Sequence, residues 1–391
     1  MKMKNKVLSV VKEYFMIIVL VVVFLLFAAG TKGAMFQPMK FNALVIQNAY
    51  VYILGCGMLM CMLTGGNIDL SCGAVVCLLG AIGSYFMIIR GMNAGVSVLL
   101  MLVIAIAYGI LLGYLVAYVN IPPWIATLSG FLAFRGLGTA VLSGNSSTGS
   151  ISVKAQETFM NVFSGKLFST KLNVLNIPCM TLGVIAAIII VLVNVLGRAN
   201  KLKKGYEAES AQKVLIKSVL EAAVVLYVMY KLAMAGGIPT ALVWVVIVVL
   251  IYSFITEKTT IGRHFYVVGG NREAARLSGV NTRMVMFAAY LNMAVLTAVT
   301  TWVVLARTQA ANSTAGTNYE LDAISACVVG GVSAYGGEGK VMGMVVGATL
   351  IGVINLGMSL VNWDANLQKV VKGVVLLGAV AFDILSKKRA K

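Results

Sequence analysis

Residues 41–68, 70–89, 91–134, 172–197, 232–256, 284–306 and 341–363 contain no charged side chain. A bilayer core takes about 20 apolar residues as helix, because a rise of 1.5 Å per residue must cover about 30 Å. Every one of these stretches is of that order, and 91–134 holds two helices around a turn at Asn120-Ile121-Pro122-Pro123. In lipid, each backbone polar group must be satisfied internally, so such a chain is restricted to membrane-spanning helices. Weaker candidates are 14–30, 218–230 (which contains Glu221), 321–335 and 367–385, where Lys369 and Lys372 sit at one end and are expected to snorkel outward. All candidates together make about twelve crossings, or about ten if two short ones are half-helices. The expected fold is all-α and integral to the membrane: a polytopic helical bundle of about 10–12 spanning segments with discontinuous helices, as a single transmembrane domain over 1–391.

Composition supports the same class. Only 11% of residues are charged, against about 25% in soluble domains, and a soluble surface would need the missing charge. The net charge of +18 would suggest nucleic acid in a soluble protein. Here the basic residues gather between apolar runs, in the positive-inside pattern, and no nucleic-acid partner is expected. The basic segments 1–13, 198–217, 257–283 and 387–391 are accordingly assigned to the cytoplasm, so both termini lie inside a plasma membrane. Segment 143–176, rich in Ser, Thr, Gly and Asn, is assigned outside. The lysines before 14–30 resemble a leader sequence, but the apolar run is long and lacks a cleavage site, so it is expected to stay as the first spanning helix.

Reactive chemistry is scarce. The six cysteines have no CxxC pairing and the single histidine, His264, lies in a basic loop, so neither a metal, a cofactor nor catalytic residues are expected.

Polar residues interrupt the apolar pattern at particular places. Thr64-Gly65-Gly66-Asn67-Ile68-Asp69-Leu70-Ser71 lies between two spans. Two readings fit: Asp69 lines a cavity or caps a half-helix, or it is the N-cap of an ordinary surface loop. Asn312 to Asp322 forms a comparable late break, with Glu320 and Asp322 where Asp69 falls in the first half. That placement suggests an internal repeat, and repeat-built transporters put their pathway at paired breaks; a loop capping one helix is the other reading. Arg135, after a long uncharged stretch, either snorkels or meets a carboxylate. In the segment Gly269 to Gly279, Asn271 suits an N-cap, Glu273 the first turn and Gly279 the C′ stop, giving a surface helix of about two turns.

This last segment contains Glu273-Ala274-Ala275-x-x-x-Gly279, which resembles the EAA loop of ABC-importer permeases. The run from Ile261-Gly262-Arg263-His264 through Gly269-Gly270-Asn271 is similar to the corresponding stretch of ribose/xylose/galactose-type permeases. So are Ala315-Gly316-Thr317-x-Tyr319-Glu320-Leu321-Asp322, Gln368-Lys369-Val370-Val371-Lys372-Gly373, Ile68-Asp69-Leu70-Ser71 and Pro122-Pro123-Trp124-Ile125-Ala126-Thr127-Leu128. Cys72 and Asn67 depart from the family pattern, and the length between Arg198 and Thr256 resembles the xylose or multiple-monosaccharide branch. The resemblance implies a permease importing a monosaccharide across a bacterial plasma membrane. It implies a second copy of the chain, a cytoplasmic ATP-binding subunit, an external sugar-binding protein and alternating access without catalytic residues. Asn271, Glu273, Ala274, Ala275 and Gly279 would couple to the ATP-binding subunit. Candidates for the translocation pathway are Asn67, Asp69, Ser71, Thr127, Ser129, Arg135, Asn312, Glu320 and Asp322, whose amides, hydroxyls and charges suit a polar cargo. A nucleoside, autoinducer or amino acid is the alternative cargo, and an ion-coupled secondary transporter the alternative class.

Overall fold

The computed structural model describes residues 2–388 apart from 207 and 209, with side chains from 16 to 381 apart from those two, 365 and 379. The expected tail at 387–391 therefore lies mostly outside the described residues. The helices, in chain order, are α1 (Lys2–Gly30), α2 (Pro38–Leu63), α3 (Cys72–Ser84), α4 (Ala94–Ala117), α5 (Pro123–Asn145), α6 (Glu157–Ser164), α7 (Ile177–Lys203) and α8 (Ala211–Met234). They continue as α9 (Thr240–Lys258), α10 (Thr260–Gly270), α11 (Arg272–Leu277), α12 (Thr282–Thr308), α13 (Tyr319–Val329), α14 (Val341–Leu360) and α15 (Ala365–Lys388). Among the described residues, sheet is limited to two small antiparallel pairs: β1 (Ser150–Ser152) with β4 (Ala310–Asn312), and β2 (Lys166–Leu167) with β3 (Ile238–Pro239).

Helix starts follow local chemistry. Pro38 and Pro123 open α2 and α5, where the missing N–H costs nothing. Asn93, Asn176, Ser210 and Asn281 cap α4, α7, α8 and α12 by accepting from backbone N–H groups of the first turn. Among the described residues, eight helices are long and apolar enough to cross a membrane: α2, α3 with its π-helical extension Tyr85–Ile89, α4, α5, α7, α9, α12 and α14. Three more of the expected crossings are also helical. Residues 16–30 of α1 are apolar but shorter, while α8 and α15, at 24 residues each, carry charges along their length. The remaining candidate, α13, has 11 residues and rises only about 16 Å, half a bilayer core.

Burial divides the bundle. Helices α2, α3, α12 and α14 are mostly buried, and their Met, Leu, Val and Cys side chains form one core. On α1, Leu20, Val23, Phe24 and Phe27 pack towards α14, while Ile17, Ile18, Val21, Val22, Leu25 and Leu26 stay exposed on the opposite face. An apolar stripe left bare in this way is what a lipid-facing helix presents. Helices α7 and α8 pair with each other at the bundle's edge and leave apolar residues such as Ile188, Val193 and Leu220 exposed.

The two halves exchange partners. Helix α2 runs antiparallel to α12, with Gly57 against Met293 and Cys61 donating to the Ala289 carbonyl. It also runs antiparallel to α14, with Asn48 against Gly352 and Gly55 against Met344. Helix α12 in turn receives α4, with Gly109 against Ala294 and Gly113 against Phe287. Thus α2–α5 and α12–α15 are each a long helix, an interruption, a helix that begins inside the bundle, and a helix lent to the other half's long one. The loops sort to two ends. Strand pairs β1–β4 and β2–β3 mark one end, and the segments 198–217 and 257–283 lie at the other.

Candidate functional site

After α2 the chain turns through Gly65 and Gly66, whose φ values of +119° and +74° belong to a region that residues with a Cβ rarely enter. It then runs without helix to Ser71, and α3 starts at Cys72 inside the protein. Asp69 is 1% exposed and its carboxylate accepts both the amide (2.8 Å) and the hydroxyl of Ser71. The Ser71 hydroxyl also bonds the Tyr108 hydroxyl of α4. Asp69 is therefore buried in a network and is no surface-loop cap; Ser71 itself occupies the N-cap position. Asn67 is half-buried and donates to the Thr64 hydroxyl at 3.0 Å.

The second break enters from β4. Asn312 accepts from the Thr314 hydroxyl at 2.9 Å, and the following loop descends beside α3, where Cys77 faces the Asn312 and Ser313 carbonyls. Arg135 of α5 does not snorkel, and among the described residues its guanidinium forms no direct ion pair. Its Nη1 donates to the Ser313 and Ala315 carbonyls at 3.1 and 2.6 Å, tying α5 to this loop. Here α13 begins, with Glu320 and Asp322 buried in its first turn, where a helix dipole favours negative charge. Glu320 packs against Gly73, so the starts of α3 and α13 touch. Asp322 accepts from the Tyr50 hydroxyl of α2 and forms an ion pair with Lys372 of α15 at 3.0 Å. Lys372 thus turns into the bundle instead of snorkelling, because a buried carboxylate lies within reach. The Tyr50 ring stacks on Tyr319, centroids 3.7 Å apart.

A third group occupies the end marked by the basic segments. Residues 260–270, read in sequence as loop, form α10, with His264 exposed and Phe265 and Val268 buried. The segment Gly269-Gly270 then presses onto the end of α2. A Cβ on Gly269 would overlap the Leu63 carbonyl, which accepts from the Gly337 amide at 3.1 Å. Gly336 in turn packs on the backbone of Gly65 and Gly66. Three glycine pairs, from the break before α3, the loop after α13 and the approach to α11, therefore meet backbone to backbone. Beside them lies a cavity of about 350 Å³ lined by Thr64, Asn67, Asn120, Pro122, Gly270 and Asn271, among others.

Helix α11 has six residues, slightly shorter than expected. Asn271 caps it by accepting from the Ala274 amide at 2.9 Å, and Gly279, at φ +83°, ends it. Glu273 and Arg276 pair on its exposed face, and the Arg276 guanidinium holds the Glu273 carboxyl below its ordinary value. Ala275 is buried, Ala274 is exposed, and Leu277 is left 77% exposed.

The remaining candidates stand apart. Thr127 is buried but its hydroxyl returns to its own helix, at 2.9 Å from the Pro123 carbonyl, and Ser129 faces outward. Of these candidates Asn67 lines the 350 Å³ cavity, and Ser71, Thr127, Ser129 and Asn312 do not. Sequence reasoning missed Tyr50 and Lys372, the partners of the Asp322 carboxylate, and Tyr108, which bonds the Ser71 hydroxyl beside Asp69. A usable signal for α2 was Gln47-Asn48 together with Tyr50 and Tyr52, four polar-tipped residues in the middle of an otherwise apolar run.

Comparison with known proteins bears on this arrangement. Residues 41–380 match the family described as branched-chain amino acid transport system / permease component. The chain is 33% identical over 377 residues to the xylose transport system permease protein of Haemophilus influenzae, covering 96% of this chain and 97% of that one. It is 29% identical to the ribose import permease protein of Escherichia coli, over 85% of this chain and 81% of that protein. With the fructose import permease protein of Rhizobium meliloti it shares 27% identity, over 96% and 86%. No solved structure matches it.

Two stability outcomes follow from this geometry. Gly269→Val should lower the thermal stability of the purified protein by about 1–3 kcal/mol, since only backbone atoms can yield. Gly270→Val, with nothing within 4 Å of its added Cβ, should cost far less, and equal melting of the two variants would dissolve the glycine clasp. Asp322→Ala should cost about 2–3 kcal/mol by leaving Lys372 without its partner, less than for a fully buried pair because the Lys372 side chain is partly exposed. Thermal melts of Asp322→Leu combined with Lys372→Met should recover much of that loss.

Proposed function

We propose, from the premise that the chain belongs to the sugar-importing ABC permease family and its longer xylose-like branch, that it is the membrane subunit of an ATP-driven monosaccharide importer. It would act as a homodimer in the bacterial plasma membrane, with two copies of a separate ATP-binding subunit on the cytoplasmic side and a sugar-binding protein outside. The relatives named for xylose, ribose and fructose transport support a sugar cargo.

The observation that carries the reading is the position of α11. It lies at the end of the bundle that holds the segments 198–217 and 257–283, which the positive-inside rule assigns to the cytoplasm. On the same reading 1–13 and the C-terminal tail are cytoplasmic, and β1–β4 faces out. Asn271, Glu273, Ala274, Ala275 and Gly279 form an outward-projecting element whose Leu277 offers an apolar contact to a partner. Through Gly269 and Gly270 this element touches the end of α2 and the loop after α13, whose Gly336 packs on the break before α3. A push on α11 by a closing pair of ATP-binding subunits therefore reaches both interrupted helices through backbone contacts, without a flexible side chain between. Asp69, Ser71, Arg135, Asn312, Glu320 and Asp322 hold the starts of those helices in one arrangement. Asn67 belongs to the inner cavity, and Thr127 and Ser129 lie on α5, whose exposed face is available to the second copy. ATP hydrolysis takes place on the partner, and this chain supplies the path.

The test uses the complete complex in proteoliposomes. Glu273→Lys and Gly279→Asp should each reduce ATP-dependent D-xylose uptake by at least about tenfold, as expected for loss of interface contacts of about 1.4 kcal/mol or more. Both variants should insert and purify normally. Uptake at the unaltered rate in either variant would remove the coupling role of α11.

A further inference from the structure

Near the end of the bundle marked by β1–β4, a second cavity of about 210 Å³ opens between α2, α12, α13 and α14. None of the residues expected from sequence to bind cargo lines it. Its walls are Asn48, Tyr50, Arg307, Tyr319 and Asn355, with Gln47 at the same level of α2. We infer that this cavity is a binding site for one neutral sugar ring within the permease itself, occupied during passage from the external face. The inference rests on the importer reading above and assigns the residues that hold the cargo.

Asn48 is 2% exposed and lines the cavity. Its Nδ2 donates to the Ala348 carbonyl at 2.7 Å, which fixes the orientation of the amide. Its Oδ1 is buried and has no hydrogen-bond partner among the described residues, and the Oδ1 of Asn355 is in the same condition. A buried acceptor without a donor costs about 1–3 kcal/mol. An O–H group from a ligand would satisfy it. Phosphate or carboxylate ligands bring acceptors and no suitable set of donors, and an apolar ligand brings neither. Arg307 supplies donors of its own for ligand oxygens, and the stacked Tyr50 and Tyr319 supply an aromatic wall for the apolar face of a sugar ring. The volume lies below the roughly 300 Å³ where pockets for drug-sized ligands begin, which suits a single ring and excludes an oligosaccharide.

Local packing keeps the space open. A Cβ on residue 352 would stand 2.6 Å from the Asn48 amide, so glycine at that position leaves room for Asn48 to point as it does. The Tyr50 hydroxyl is committed to Asp322, which is itself paired with Lys372. Ligand bound against Tyr50 and Tyr319 is therefore one contact from the first turn of α13. Loading of the cavity and the position of that half-helix are physically linked.

The experiment uses the permease assembled with its ATP-binding subunit and binding protein in proteoliposomes. Asn48→Leu should lower D-xylose uptake at least about tenfold, since a site built for a hydroxyl loses its acceptor. Asn48→Gln should retain part of it. Gly352→Ala, which alters the cavity through a single methyl group, should raise the KM for uptake. Co-purification with the ATP-binding subunit establishes that each variant is folded. Independently of transport, Asn355→Cys should react with a water-soluble maleimide, and D-xylose should slow that reaction while inorganic phosphate leaves it unchanged. Uptake at the unaltered rate in both Asn48→Leu and Gly352→Ala would overturn the site. So would labelling of Asn355→Cys that is indifferent to D-xylose, and protection by phosphate would overturn its neutral chemistry. Absence of ATP-dependent uptake of D-xylose, D-ribose and D-fructose by the unaltered complex would instead overturn the importer reading, and the site with it.

Discussion

A helix that starts or stops inside a bilayer leaves up to four backbone groups without intrahelical partners, and no water is present to take them. The arrangement of this protein follows from how its interrupted helices solve that problem. Before α3, the Asp69 carboxylate takes the Ser71 amide and hydroxyl, and that hydroxyl is bonded in turn to Tyr108. Ahead of α13, the Arg135 guanidinium takes the loop carbonyls of Ser313 and Ala315. At the ends nearest α11, the Leu63 carbonyl is taken by Gly337, and the glycine pairs close the remaining space. Each solution draws on a different part of the chain, so the interruptions, like the apolar core, bind the two halves together.

The spanning helices were legible because lipid imposes a rule on sequence that water does not. A run without charge must be helix, and Pro38, Pro123, Asn176 and Asn281 mark where it starts. Breaks at Asp69 and at Glu320 and Asp322 were legible for the converse reason, since carboxylates are expensive there. Their partners were not. Tyr50 is 272 residues from Asp322 and Lys372 is 50, and no local pattern connects them. Lys372 was read by position, near the end of a weak span, when the deciding fact was a carboxylate on another helix. For Arg135, no sequence signal distinguishes a loop carbonyl from a lipid headgroup or a carboxylate as the guanidinium's partner. Helix α10 was hidden because its glycines and basic residues read as loop, although Phe265 and Val268 give it an apolar side to bury.

The hairpin α7–α8 shows the opposite case, in which sequence registers a feature that the core does not need. Its helices pair mainly with each other and expose apolar residues along their length, and they meet the rest of the bundle at the start of α2, where the Phe41 and Tyr227 rings touch edge to face. The ribose import permease matched here aligns over a smaller share of the chain than the xylose transport permease does, 85% against 96%.

The two cavities lie at opposite ends of the bundle, and their separation is itself informative. One touches Asn67 and Asn271, the other Asn48 and Asn355. Between them stand the starts of α3 and α13, held by Asp69, Glu320 and Asp322. On the proposed function, a pathway joining the two ends passes those starts, and the groups that would have to yield are hydrogen bonds and one ion pair whose lysine is partly exposed. Such contacts break and re-form at modest cost compared with repacking a core of Leu, Met and Val, whose interior density resists continuous deformation. The polar breaks are thus where this bundle can take up a second arrangement. If α11 couples to a partner as proposed, their position near the glycine contacts to α11 makes the most yielding part of the protein the part that a push on α11 reaches first.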